Sequence, residues 1–232
     1  MRVLDVAGSI GPDFVCIDTQ HGVHLSNLDV STFTTLAHYG VPGLVRVSSN
    51  SDVTIGRALD LGADGVVIPL AESADDARRA VAACRYAPEG TRSYGVQTRR
   101  VDPFDSRARP SVWIQIETAS AIDDVESIAA VEGVAALYIG PADLGLARCG
   151  TAAANVLEVF DGEHQHADTM KSAFDRVVEA CSRSGVMAGL HCGSGAAAAR
   201  AVEEGFQVTA VGADLPMMGR TLASELAAAR ST

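Results

Sequence analysis

The stretch VWIQIETASAIDDVESIAAVEGVAALYIGPAD, from Val112 to Asp143, contains two short apolar runs that each lead to a carboxylate. In the first run, apolar side chains alternate over residues 112–116 and Glu117 follows directly. The second run, residues 135–139, leads through a Gly-Pro pair to Asp143. Alternation of this kind indicates short buried strands, so the stretch predicts two strands with a helical segment between them.

The helical segment fixes how the two carboxylates lie relative to each other. Its apolar residues recur at helical spacing, and Ser120 with Asp123 three residues later resembles a capping box. In a strand-helix-strand unit the strands are parallel, so Glu117 and Asp143 should emerge on the same rim. Two carboxylates there repel unless a cation lies between them, and oxygen ligands suit Mg²⁺ or Mn²⁺. The alternative is that Asp143 caps the next segment and Glu117 is a solvated strand end.

The rest of the chain repeats the same alternation of strands and helices. We predict seven strands, near Phe14, Leu44, Val66, Val112, Ala135, Val186 and Val208. Helical patterns cover residues 2–10, 29–39, 52–61, 73–84, 170–182, 196–203 and 215–229. Residues 88–110 are polar and rich in glycine, proline and arginine, which predicts a rim loop, and residues 145–168 resemble an inserted loop.

This alternation predicts a single α/β domain over residues 1–232, a TIM (β/α)₈-type barrel that lacks or modifies its first strand. Nearly all-apolar strands are typical of a parallel sheet covered on both faces. The first strand could be absent, formed poorly by residues 2–4, or supplied by a neighbouring subunit. A doubly wound open sheet is the alternative, but it normally carries a glycine-rich phosphate turn, and none follows Asp18.

Composition excludes several classes of function. The 232 residues carry a net charge of −11, which argues against binding nucleic acid or an anionic membrane. No apolar run reaches the roughly 20 residues that span a bilayer, and the N-terminus does not resemble a signal sequence. Five cysteines without a CxxC pair are typical of a reduced, cytoplasmic protein.

In a barrel the chemistry lies where the strands end, so the residues that follow each strand are the candidates. They are Asp18, His21, Arg46, Pro69, Glu117, Asp143, His191 and Asp214. A cation held by two acids, an arginine for developing negative charge and a histidine to move protons suit polarising a carbonyl and stabilising an enolate.

Six segments carry a resemblance to a known family. They read DFVCIDTQHG, VRVSSNSD, GADGVVIPLAES, APEGTRSYG, IQIETASAIDDVESIAAVEGVAALYIGPADL and VTAVGADL. Together they resemble the HpcH/HpaI aldolases, metal-dependent (class II) pyruvate aldolases related to 4-hydroxy-2-oxoheptanedioate aldolase. The resemblance runs from about residue 6 to residue 214. The chain departs from the family in lacking an initial GTWL-like strand and in its irregular segment 145–168.

The resemblance implies a role for each site residue. Glu117 and Asp143 would bind a divalent metal ion (Mg²⁺, Mn²⁺ or Co²⁺), with Gln115 assisting through water. Arg46 would contact the keto oxygen, and the backbone of Gly140, Pro141, Ala142 and Asp143 would bind the substrate carboxylate. His21 would be the acid/base residue, paired with Asp60. Asp18, three residues before His21, is the other candidate partner.

The implied reaction is reversible aldol cleavage of a 4-hydroxy-2-oxo acid to pyruvate and an aldehyde. The only lysine, Lys171, lies on an outer helix pattern, which counts against a Schiff-base aldolase. The resemblance also implies a homo-oligomer, a hexamer or trimer of dimers, that exchanges the helix at 215–229. Alternatives are citrate-synthase-like or decarboxylating chemistry on the same scaffold, or a non-catalytic barrel subunit.

Several candidates also have a structural explanation. His21 could hydrogen-bond a turn, Arg46 could be an ion-pair partner, and Asp60 could lie on a solvated helix face. The pair His164 and His166 has metal-like spacing but lies in an acidic stretch, which favours a solvated surface. For His191 the favoured interpretation is a pocket wall.

Overall fold

A computed structural model describes residues 2–22, 28–95 and 109–231 of the chain. The strands are β1 Val15–Asp18, β2 Gly43–Arg46, β3 Gly65–Ile68, β4 Ser111–Ile116, β5 Ala136–Ile139, β6 Met187–His191 and β7 Val208–Ala210. The helices are α1 Arg2–Ile10, α2 Val30–His38, α3 Asp52–Asp60, α4 Ala74–Ala83, α5 Ala119–Asp123, α6 Val125–Ala129, α7 Pro141–Cys149, α8 Val156–Phe160, α9 Ala167–Ser184, α10 Gly195–Glu203 and α11 Asp214–Arg230. All seven predicted strands are present.

The strands form one parallel sheet in the order β1-β2-β3-β4-β5-β6-β7, which is the order of the chain. A doubly wound sheet reverses its strand order at a switch point, so that alternative is wrong. The sequential order is that of a curled, TIM-like sheet. Within the described ranges, β1 and β7 are not paired with each other.

The two faces of the sheet are both apolar, as the strand composition predicted. The larger cluster lies between the sheet and its helices and contains residues such as Val66, Ile114 and Ile139. The smaller cluster lines the inner, concave face and consists of Leu44, Val67, Trp113, Ala136, Tyr138 and Val208. Because side chains alternate along a strand, residues in register with this cluster, or two positions further along, also face inward.

Several helices begin where short polar side chains accept backbone N–H groups, as the sequence pattern indicates. Ser51, Ser73 and Ser194 each accept a bond from the third residue that follows. The predicted capping box at Ser120 is wrong. Thr118, extended at φ −118° and ψ 160°, is the N-cap and its Oγ1 accepts a bond from Ala121 N at 3.0 Å. The helix starts two residues earlier because the chain turns directly after Glu117.

The prediction of an inserted loop over residues 145–168 is also wrong. Helix α7 continues to Cys149 and ends at Gly150, which has the left-handed φ of 67° that suits glycine. Helix α8 follows, and its buried Val156, Val159 and Phe160 join the outer core. Of the predicted rim loop at 88–110, residues 96–108 lie outside the described residues.

The last helix differs from all the others. Helix α11 has no buried residue along its 17 positions, although its sequence is as apolar as predicted. Nothing within the described chain packs over it closely enough to bury a side chain. No helix in the described part of the chain is long and apolar enough to span a membrane.

Candidate active site

Glu117 is the most tightly held residue of the candidate site. It follows strand β4 and is 1% exposed, so the alternative of a solvated strand end is wrong. Its Oε1 accepts the backbone N–H of Leu70 at 2.8 Å, and its Oε2 accepts Gln115 Nε2. Burial raises the pKa of Glu117, and the negative charge of Asp143 adds to this effect. A cation beside these carboxylates would offset both costs.

Gly140 has no side chain, which leaves room for the side chains of Gln115 and Glu117. It follows β5 and is the N-cap residue of α7, without a side-chain capping bond. A Cβ at this position would lie 2.7 Å from Gln115 Nε2 and 2.7 Å from Glu117 Oε2. Asp143 stands exposed in the first turn of α7, and the N-terminal N–H groups of this helix favour bound anions. Pro141 and Ala142 complete the predicted carboxylate-binding backbone.

Arg46 and Asp18 form a bidentate pair on the inner face. The two residues are in register on β2 and β1, and Arg46 donates from Nε to Asp18 Oδ1 at 2.9 Å and from Nη2 to Oδ2 at 2.6 Å. Burial alone would raise the pKa of Asp18, but the hydrogen bonds and charge of Arg46 outweigh it and hold that pKa below its usual value. Arg46 is thus ion-paired, and its charge also acts on Glu117.

His21 lies beside this pair, whereas Asp60 is engaged elsewhere. The backbone N–H of His21 donates to Asp18 Oδ1 at 3.3 Å, and its side chain is exposed. Asp60 ends α3 and accepts Arg92 Nη2 at 2.8 Å. The bond from His21 to Asp18 comes from the backbone, so the partner of the His21 ring stays a prediction.

Leu70 belongs to the site and was not predicted. It follows Pro69 beyond β3, has a left-handed φ of 52°, and is 58% exposed. A leucine in this conformation is strained, and here the strain directs the backbone N–H onto Glu117. A sequence reveals side chains but not a backbone donor, so only the position after a strand could have indicated it.

The donor set fits a hard divalent cation held in part by substrate. Glu117 and Asp143 supply carboxylate oxygens, and the buried Gln115 Oε1 has no hydrogen-bond partner. No group of three or more His, Cys, Asp or Glu suited to a metal occurs in residues 2–22, 28–95 and 109–231. Mg²⁺ is commonly held by only one or two carboxylates together with water and substrate oxygens.

The remaining histidine candidates differ in their surroundings. The rings of His164 and His166 lie 6.1 Å apart, and His164 Nδ1 accepts the backbone N–H of His166, which supports a structural interpretation. His191 ends β6 and lies with its Nδ1 3.2 Å from the hydroxyl of Tyr138, a member of the inner cluster.

Comparisons with known proteins identify the family to which the chain belongs. The family model described as HpcH/HpaI aldolase/citrate lyase matches residues 2–219. The chain is 34% identical to 2-dehydro-3,6-dideoxy-6-sulfogluconate aldolase from Pseudomonas putida, over 92% of this chain and 82% of that protein. It is 34% identical to a pyruvate aldolase from Rhizobium etli, over 97% of this chain and 87% of that protein.

A solved structure supports the same relationship. It is an HpcH/HpaI aldolase/citrate lyase family protein from Burkholderia cenocepacia, with a TM-score of 0.84 and 30% identity, and the alignment covers 99% of this chain and 90% of that one. The chain belongs to the HpcH/HpaI aldolase/citrate lyase family and is a carbon–carbon lyase of the class II aldolase type.

Proposed function

We propose that the protein catalyses reversible aldol cleavage of a 4-hydroxy-2-oxo acid to pyruvate and an aldehyde, with a divalent metal ion. The observation that carries the proposal is the buried Glu117, held by Leu70 N–H and Gln115 and electrostatically coupled to Asp143 and Arg46. A buried carboxylate beside a second carboxylate lowers the stability of the fold unless a cation binds there.

The ion would be held by Glu117 and Asp143, and Mg²⁺, Mn²⁺ and Co²⁺ all suit oxygen ligands. When bound, it supplies Lewis-acid chemistry that makes the carbon next to the ketone acidic. The orphaned Gln115 Oε1 can accept a bond from water on the same side of the site.

The protein's own residues bind the substrate and hold the developing charge. Arg46, kept in position by Asp18, places guanidinium N–H groups near the keto oxygen and stabilises the enolate. The backbone from Gly140 to Asp143, at the start of α7, binds the substrate carboxylate. Gly140 is required there because any side chain would fill the space beside Glu117.

His21 is the acid/base residue that takes the proton from the substrate hydroxyl in cleavage and returns it in synthesis. Asp18 fixes the backbone at His21. Asp60 remains a second candidate partner for the ring, with Arg92 as its described ion-pair partner. Replacing Asp18 and Asp60 separately by asparagine, with proton transfer measured in each variant, distinguishes the two.

The strand order favours a (β/α)₈-type barrel whose first strand is absent or modified in this chain, with the opening between β1 and β7. The single domain would include α11, exchanged between subunits of a homo-oligomer such as a hexamer or trimer of dimers. Five large apolar side chains of α11 are exposed: Leu215, Met217, Met218, Leu222 and Leu226. Such a stripe on one helix indicates an interface.

All five cysteines are free, as suits the reducing cytoplasm.

Light scattering tests the assembly. The native chain should be an oligomer, and replacing Leu222 by aspartate should dissociate it, whereas the same replacement of Val53 of α3, which is more exposed, should not. A monomeric native protein would contradict this part of the proposal.

Exchange of the pyruvate methyl protons into heavy water, followed by NMR, tests the reaction. Exchange should require a divalent ion, stop with EDTA, and fall by orders of magnitude when Glu117 is replaced by glutamine. Exchange that survives EDTA would refute the metal role. No exchange with any divalent ion would favour the non-catalytic subunit, and exchange without aldehyde release would favour the citrate-synthase-like or decarboxylating alternatives.

A further inference from the structure

The pair formed by Tyr138 and His191 lies on the inner face of the sheet, beside the residues already assigned. Tyr138 is 9% exposed and packs against Trp113, with ring centroids 5.8 Å apart. It is paired with Gly189 on β6, and His191 is two residues further along the same strand. Both side chains therefore face inward, and His191 lies nearer the rim where the strands end.

The hydrogen bond between them fixes the form of the imidazole. The buried Tyr138 hydroxyl has His191 Nδ1, at 3.2 Å, as its hydrogen-bond partner among the described residues. An unpaired buried O–H is costly, so the hydroxyl donates and Nδ1 accepts. Nε2 then carries the ring proton. Desolvation by the surrounding protein and the positive charge of Arg46 lower the pKa of His191, although Asp18 opposes them, and this direction agrees with a neutral ring.

Nε2–H is a donor without a partner in the described chain. Tyr138 lies one pair deeper in the sheet than His191, and His191 is exposed at the end of β6, so we infer that Nε2, on the other side of the ring from Nδ1, faces the rim. Gly189 makes this packing possible, because a Cβ there would lie 2.7 Å from the Tyr138 ring. Asp18 and Arg46 act electrostatically on His191, and all three residues lie on the inner face of the sheet, so His191 faces the candidate site.

We propose that His191, held in its tautomer by Tyr138, is a specificity-determining residue that donates a hydrogen bond from Nε2 to a hydroxyl oxygen on the aldehyde half of the substrate. The proposal rests on the proposed function, in which Glu117, Asp143, Arg46 and the start of α7 hold the pyruvate half. It assigns His191 to the other half. The substrate class is then a 4-hydroxy-2-oxo acid derived from a hydroxylated aldehyde.

The test compares glycolaldehyde with propanal, which differ by a hydroxyl in place of a methyl group. We expect the native enzyme to condense pyruvate with glycolaldehyde at a higher kcat/KM than with propanal. His191→Leu should reduce that preference about tenfold, because the hydroxyl of glycolaldehyde would then lie in the site without its hydrogen-bond donor. His191→Gln, which keeps an N–H near the position of Nε2, should restore most of it. Tyr138→Phe, which releases the ring, should give an intermediate loss.

The control is His38→Leu, since His38 is exposed at the end of α2, and this variant should keep the native preference. Circular dichroism checks that each variant folds. If His191→Leu does not fold, the aldehyde preference of Tyr138→Phe tests the inference. An unchanged preference in the folded variants, an equal loss for both aldehydes, or a native enzyme without preference would overturn the inference. Failure of the proposed function is distinguished by pyruvate methyl exchange and by condensation itself. A native protein that exchanges the methyl protons and condenses both aldehydes, but without preference for glycolaldehyde, overturns only the role of His191, whereas one that condenses neither aldehyde overturns the proposed function.

Discussion

Replacing Gly140 by alanine tests how closely the candidate site is built. The backbone at Gly140, with φ −94° and ψ 91°, is open to alanine, so the effect depends on contacts alone. The new Cβ would meet Gln115 Nε2 and Glu117 Oε2, each at 2.7 Å, and Glu117 Cβ at 3.3 Å. Non-bonded heavy atoms normally approach to about 3.5 Å, so the two buried side chains must move by roughly 0.8 Å.

Both consequences of that movement can be estimated. Overpacking of this kind costs about 1–3 kcal/mol, and a chain of this size loses about 2–4 °C in Tm for each kcal/mol. Displacing groups that orient a metal ligand weakens metal binding by about 10–100-fold. Calorimetric titration with Mn²⁺ and thermal melting by circular dichroism measure the two effects.

The matched control is Gly56→Ala in α3, where an added Cβ meets no atom within 4 Å. This variant should melt at the same or a slightly higher temperature, because alanine favours helix, and should bind Mn²⁺ as the native chain does. Native-like Mn²⁺ affinity in Gly140→Ala would refute the reasoning, since it would mean that Gln115 and Glu117 can move without consequence.

Two further predictions concern the groups that position the site. Asp18→Asn should lower the free energy of unfolding by about 1 kcal/mol at neutral pH. The value is small because a third of the Asp18 side chain is exposed to solvent. The pKa of Asp18 is lowered in the folded state, so the difference in urea stability between native and variant should be full above about pH 4 and vanish as the pH falls through the folded-state pKa; a difference independent of pH would contradict the ion pair with Arg46. Leu70→Gly should raise Tm by a few degrees, because glycine relieves the strain at φ 52° and keeps the N–H that Glu117 accepts; a lower Tm without loss of Mn²⁺ binding would show that the leucine side chain, not its backbone, matters there.

The strands were predictable because their signal is local. The short apolar runs at residues 112–116 and 135–139 reflect burial on both faces of a parallel sheet, and such runs can be recognised from a few neighbouring residues. Helix starts were less predictable, because several short polar residues compete to cap. Thr118, and not Ser120, is the N-cap of α5 because it lies directly at the turn after the strand. The helices within 145–168 were missed because α8 is only five residues long and is stabilised by packing rather than by its own pattern.

The site was predictable as far as it consists of side chains after strands. Glu117, Asp143, Arg46 and His21 follow from that position, whereas Asp60 came only with the family resemblance. Two features lay beyond any sequence pattern. The N–H of Leu70 depends on a strained backbone angle. The bond between Tyr138 and His191 joins residues 53 positions apart, and only the register of the sheet brings them together.

The central claim is that Glu117 and Asp143 share one divalent ion. Calorimetric titration with Mn²⁺, in the presence of pyruvate, of the native chain, Glu117→Gln and Asp143→Asn tests it most directly. We expect one site per chain in the native protein, lost or weakened at least 100-fold in both variants. Mn²⁺ affinity that is unchanged in either variant would contradict the claim.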